Sequence, residues 1–252
     1  MHIDVWSDLH CPFCHLGRRH LELALAQFEH GDEVTVTWHS YLLDRNAPAV
    51  QPESVVDVVA AKYGTSREAI EAQHRSMAAD AAAVGLDFQW EKLRSGNSFD
   101  AHRVIHMARE FGVEQPVTQR LMRGWYTEGE ALGDHDTLVR LAGEGGLDAD
   151  AVREMLGSED YGINVRTDEA TAKMIGVEAV PMFVFDQKAA LRGAQPVDVM
   201  VGALEQMWQQ RDVAPTPRTG GGCGGDCGSC TCGGTAPEAA GLPETDGEAC
   251  AV

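Results

Sequence analysis

Two cysteines three residues apart, Cys11-Pro-Phe-Cys14, stand between a strand pattern and a helix pattern, and the next 208 residues contain no cysteine. The other five, Cys223, Cys227, Cys230, Cys232 and Cys250, fall within the last thirty positions. A disulfide-stapled secreted fold spreads its cysteines through the body. This chain must therefore build its body from ordinary apolar burial, and 252 residues are enough for a sizeable core. Cys11 and Cys14 read as chemistry, and the later cluster reads as a separate device.

The flanking patterns place the pair. In residues 2–6, Ile3 and Val5 alternate with His2, Asp4 and Trp6, which predicts a strand. Pro12 suits the first turn of a helix, where a missing N–H costs nothing, and apolar spacing continues that helix to about residue 29. Residues 33–41 alternate again and predict a second strand. About 120 residues of helical pattern follow. They include a capping box at Thr65-Ser-Arg-Glu68, a helix capped by Asn97, and segments near 115–128, 135–143, 149–156 and 159–175. Strand chemistry returns at 182–186 and 189–192, joined at Gln187-Lys188, and a last helix begins near Pro196. One parallel βα crossover, one antiparallel hairpin and a covering helix make a small mixed sheet with helices on both faces. The fold class is α/β, with the helical block (about 45–157) inserted into a domain spanning 1–212.

Composition breaks after residue 212. Residues 213–252 hold ten Gly and four Pro, with Val213, Leu242 and Val252 as the only aliphatics larger than Ala. Such a stretch cannot bury enough apolar surface to offset its ordering entropy and is expected to be a disordered Cys/Gly-rich tail. The whole chain carries a formal charge of −19. That excludes sequence-independent binding to nucleic acid or to an anionic membrane. No apolar stretch approaches the ~20 residues needed to span a bilayer. Residues 1–20 lack a basic start followed by an apolar core, so a cytoplasmic protein is expected.

A helix N-terminus offers free N–H groups and the positive end of the dipole, which favour a thiolate. A first-turn Cys-x-x-Cys pair thus suits thiol–disulfide exchange, with the outer Cys11 as nucleophile and the inner Cys14 as the thiol that resolves the mixed disulfide. No Lys or Arg lies inside the motif, which leaves His10 or His15 to add positive polarity. The alternatives are half of a zinc site, which would need two more ligands that the body's sequence does not tie to it, or a plain buried pair. Val180-Pro181 directly before Met-Phe-Val-Phe marks an edge strand, a bulge or a cis bond. Facing the dithiol, it would present backbone to a substrate chain. Pro12 and Phe13 would line the same surface.

Strand, Cys-Pro-Phe-Cys, helical insertion, Val-Pro, hairpin and final helix together resemble the thioredoxin fold of the DsbA type, and more closely its FrnE-like branch. Four blocks carry the resemblance: Asp8 to Gly17, Asn97 to Arg103, Gly176 to Phe185 and Gly193 to Pro196. It covers about 1–210. It implies a disulfide oxidoreductase with Cys11 as nucleophile, Cys14 as resolving thiol and Pro181 as a cis proline. Protein or small-molecule thiols and disulfides are the implied substrates, with no organic cofactor and with glutathione as a candidate partner. The same superfamily contains glutathione-dependent isomerases and transferases that act on small aromatic substrates, which stands as an alternative function. Those enzymes typically carry Ser at the Cys11 position, so the retained dithiol favours exchange. A homodimer through helices near 53–85 is a further candidate assembly. Cys223, Cys227, Cys230 and Cys232 could hold a soft metal, relay electrons to the dithiol or do neither. A metal-buffering tail is thus a third reading, while no metal is expected in the folded domain. Cys250 has no assignable role.

Overall fold

A computed structural model describes residues 1–211. The tail cysteines therefore lie outside the described residues. Strand β1 (His2–Ser7) leads into helix α1 (Pro12–Gln27) and returns as β2 (Thr35–Ser40). β1 and β2 pair in parallel, Ile3 opposite Val36 and Ser7 opposite Ser40. Far along the chain, β5 (Met182–Phe185) and β6 (Ala189–Arg192) form the hairpin, and β5 pairs antiparallel with the other edge of β1. The sheet order is β2-β1-β5-β6, the mixed sheet expected from the sequence.

The alternation in β1 sorts the two faces. Ile3 and Val5 are fully buried against α1 and α9 (Val197–Gln210), together with Leu21, Phe183, Phe185 and Leu204. Asp4 and Trp6 point to the other face, where α8 (Gly162–Met174) lies. A strand's period of two sends successive side chains to opposite faces, so one six-residue segment serves an apolar core and a polar contact at once.

Between β2 and α8 the chain builds the helical unit: α2 (Val55–Tyr63), α3 (Arg67–Ala83), α4 (Phe99–Glu110), α5 (Glu114–Arg123), α6 (His135–Glu144) and α7 (Ala149–Leu156). Its own core is centred on Val104, Leu121, Trp125, Leu138 and Leu141. Three local expectations are corrected. The insertion is not all helical, because β3 (Val50–Ser54) pairs with β4 (Arg94–Gly96). Pro52 and Gly96 disguise those strands, and Gly96 is required there because an added Cβ would meet the Ala49 carbonyl oxygen. The α3 cap is Ser66, whose hydroxyl accepts from the Ala69 N–H, rather than Thr65. The helix expected over 115–128 changes to a π-turn at Gly124–Glu128, which buries Trp125 and Tyr126.

Candidate functional site

β1 delivers the chain to a polar turn built on Asp8. One Asp8 carboxylate oxygen accepts from the His10 N–H at 3.1 Å and the other from the Leu43 N–H at 2.7 Å. The Cys11 N–H donates to the Asp8 carbonyl at 3.3 Å. These contacts tie the turn to the loop after β2 and aim α1. Cys11 is the N-cap of α1 in extended conformation, and its side chain caps nothing. Pro12 takes the first helical position, as its fixed φ favours. Cys14 sits one turn inside the helix and is fully buried, while Cys11 retains 2% exposure. Both are free thiols.

The loop before β5 meets this helix end. The Val180–Pro181 peptide bond is cis, and the Cys11 thiol lies 3.8 Å from the Val180 carbonyl oxygen. Gly17 permits the approach: a Cβ there would come within 2.9 Å of the Pro181 ring and 3.3 Å of Phe183. Phe13 is half buried and packs between the dithiol's apolar surroundings and the helical core. The structure thus brings Cys11, Cys14, Pro12, Phe13, Val180 and Pro181 to one end of the sheet.

Electrostatics here differ from the sequence-based picture in one respect. Burial and the adjacent Cys11 push the Cys14 thiol well up, against the pull of the Asp8 backbone N–H and the Ser7 hydroxyl. Burial lowers His10, and burial with Arg18 nearby takes His15 down to about 3. Both rings are therefore neutral at neutral pH and add no positive charge, which leaves the helix terminus as the polar element beside Cys11. His15 stacks on Tyr126 with ring centres 4.1 Å apart, and Tyr126 stacks in turn on Phe88, also at 4.1 Å. Burial raises the Tyr126 phenol, with the nearby Cys11 adding to the effect. For Asp8, the His102 and His10 rings and the Leu43 N–H outweigh burial and bring the carboxyl to about 2.

The segment Asn97 to Arg103 divides between roles. The Asn97 amide donates to the Arg45 and Ala47 carbonyls while its oxygen accepts from the Phe99 N–H. Arg103 is buried and donates to three carbonyls, of Asp160, Met155 and Ser158. These residues hold the helical unit together. His102 alone turns toward the dithiol turn, with Nε2 3.6 Å from Asp8. Ser7 and Tyr126 are residues that the sequence did not single out. Asp8 and His102 lie in two of the segments that carry the family resemblance, but the contact between them spans 94 positions and has no local signal.

Comparisons with known proteins bear on the family and the fold. The sequence profile of the DSBA-like thioredoxin domain matches residues 2–205. A probable DsbA oxidoreductase from Streptomyces coelicolor is 38% identical and superposes with a TM-score of 0.80, covering 86% of this chain and 93% of its own. A 2-hydroxychromene-2-carboxylate isomerase shares the fold at 15% identity and a TM-score of 0.59, covering 85% of this chain and all of its own. An uncharacterized protein of Bacillus subtilis is 26% identical over 206 residues, which is 81% of this chain and 96% of that one.

Proposed function

The chain belongs to the DSBA-like thioredoxin family, and from that premise we propose that it is a thiol–disulfide oxidoreductase working through Cys11 and Cys14. The observation that carries this reading is the placement of a free thiol at the cap of α1, 3.8 Å from the Val180 carbonyl, with a second free thiol buried one turn behind it. Cys11 as thiolate attacks a substrate disulfide, one substrate sulfur leaves, and Cys14 then attacks the Cys11 sulfur to release the other. In reverse, a substrate thiol attacks the Cys11–Cys14 disulfide. Val180 and Pro181 offer backbone to the substrate, and Pro12 and Phe13 border the approach. No organic cofactor enters the scheme, and we read the working compartment as the cytoplasm. A cytosolic disulfide reductase of Pseudomonas aeruginosa with the same fold was solved with glutathione, which suggests glutathione as a thiol to test as electron donor.

The deciding experiment is reduction of insulin disulfides, followed by turbidity, with the parent, Cys11→Ala and Cys14→Ser. The parent should turn over and Cys11→Ala should lose activity by at least a hundredfold. Cys14→Ser should accumulate a substrate mixed disulfide on Cys11, visible by mass. Full activity in Cys11→Ala overturns the assignment.

A further inference from the structure

Cys14 has a problem that Cys11 does not. Its sulfur has no contact with solvent, its neighbours push its proton on, and resolution needs it as thiolate. A proton must leave a closed site on every turnover. The Ser7 hydroxyl favours the Cys14 thiolate, and a hydroxyl can both accept and donate a proton.

Ser7 is buried at the end of β1 and lines a small cavity of about 20 Å³ between α1, β2, α4 and α5. One water needs roughly 10–15 Å³ of such space and two to four polar partners. The polar walls here are Ser7, Arg18, His39, Ser40, His102, Arg109 and Thr118; Arg18 is bonded to Glu22, and Arg109 to Glu114 and the Trp38 carbonyl. His39 is already committed at both nitrogens, to Asp168 and Asp4, and the Ser40 hydroxyl is bonded to His106. His102 is different. It is 4% exposed, and its Nε2 is a buried ring nitrogen with no hydrogen-bond partner among the described residues. Asp8 lies 3.6 Å away, too far for a direct bond but close enough to stabilise a positive ring. Asp8 is itself a poor acceptor, because two backbone N–H groups already hold it as the carboxylate.

We propose that His102 Nε2 is the acceptor for the Cys14 proton, reached through the Ser7 hydroxyl and one water held in this cavity. The proposal rests on the dithiol reading above. With a substrate sulfur bound to Cys11, the Cys14 proton passes to Ser7, the Ser7 proton to the water, and a water proton to His102. The Cys14 thiolate then attacks the Cys11 sulfur. The Cys11–Cys14 bond forms, the Cys11–substrate bond breaks, and the substrate leaves as a thiolate that is protonated by solvent. When an external thiol later reduces the pair, Cys14 departs as thiolate and recovers the proton from His102 along the same path. The charged or titratable groups around His102 are Asp8 and His10 on the turn, Arg18 on α1, His39 on β2 and Arg109 on α4.

The reaction of the reduced protein with 5,5′-dithiobis(2-nitrobenzoate) separates the two steps. The first thiobenzoate released reports attack by Cys11, and the second reports resolution by Cys14. His102→Gln keeps the side chain's size without a basic nitrogen. Its first phase should match the parent's. Its second phase should slow at least tenfold, and the pH dependence of that phase should differ from the parent's. In His102→Ala, added imidazole should restore part of the second phase. Ser7→Ala should slow the second phase alone, and it decides the matter if the His102 variants do not fold. An unchanged second phase with the parental pH profile in His102→Gln, or in Ser7→Ala, overturns the proposal. A parent with no Cys11-dependent first phase would instead fail the dithiol reading itself.

Discussion

Histidines on the two sides of the sheet are handled in opposite ways. On the face under α8, His39 bridges two carboxylates, Asp4 at 2.8 Å and Asp168 at 2.9 Å, while Trp6 stacks on its ring. Asp168 also accepts from the Ser40 N–H and lies 3.2 Å from His106. Around the helical side of α1, His15 and His74 have aromatic neighbours and, among the described residues, no carboxylate bonded to them: His15 lies on Tyr126, and His74 meets Phe88 and Trp90. Burial lowers His39, but its bonds to Asp168 and Asp4 outweigh burial and raise it. Burial has no such opposition at His15 and His74, which fall to about 3 and about 4. The same residue type therefore works as a charged latch where it fastens α8 to the sheet and as a neutral aromatic plate beside the dithiol. The difference lies in whether a carboxylate is within reach.

The largest expected effect comes from breaking the latch. Asp168→Asn keeps the volume but leaves His39 without one of its two charge partners, and should cost roughly 3 kcal/mol in urea denaturation at about pH 6. A loss under about 1 kcal/mol would mean that α8 is held by packing alone.

The pH dependence comes next, and its sign differs between the two regions. His39 is raised above its ordinary 6.5, so its contribution is complete below about pH 6.5 and disappears as pH rises through the folded value. Asp168 is held below its ordinary 3.8 by His106, His39 and the Ser40 N–H against the effect of burial, so its contribution is present above about pH 3.8 and is lost on acidification. The latch is strongest between those limits. His15 does the reverse of His39: its contribution is complete above about pH 6.5 and falls as pH drops toward 3. His15→Phe should keep the stack on Tyr126, flatten the acid limb of the stability curve, and gain roughly 2 kcal/mol over the parent at about pH 4. His39→Gln should flatten the alkaline side instead. Equal slopes in both variants would erase the distinction.

The smallest effect tests the latch at its rim. Ser40→Ala removes the hydroxyl that lies 3.0 Å from His106 Nε2 and should cost about 1 kcal/mol, read as a shift in the urea midpoint with unchanged slope.

Features written in neighbouring residues were legible without a structure. The strand before Cys11, the Pro12 helix start, the β5–β6 hairpin and the apolar face of α9 all depend on periods and caps a few residues long. The pair β3 and β4 was not legible, because Val-Gln-Pro-Glu-Ser and Arg-Ser-Gly have no strand pattern and exist as strands only through each other. The π-turn at 124–128 was hidden for a related reason, since one extra residue in a turn leaves the apolar spacing almost unchanged. Within the site, the nature and position of the thiols could be read from Cys11 to Cys14. The charge state of their neighbours could not, because neutrality at His10 and His15 follows from burial by distant side chains.

The sequence by itself determined the order of elements, the dithiol at a helix start and a body that must fold without cysteine staples. These follow from side-chain period, capping chemistry and the spacing of one residue type. Only the tertiary structure decided which histidines find a carboxylate, that Gly17 lets the Val180–Pro181 loop close on α1, and that Cys14 is sealed behind Cys11. Those outcomes depend on distances between residues 35 to 169 positions apart, such as Asp4 with His39 and Cys11 with Val180. Burial and Coulomb interaction depend on separation in space, which the linear order does not record.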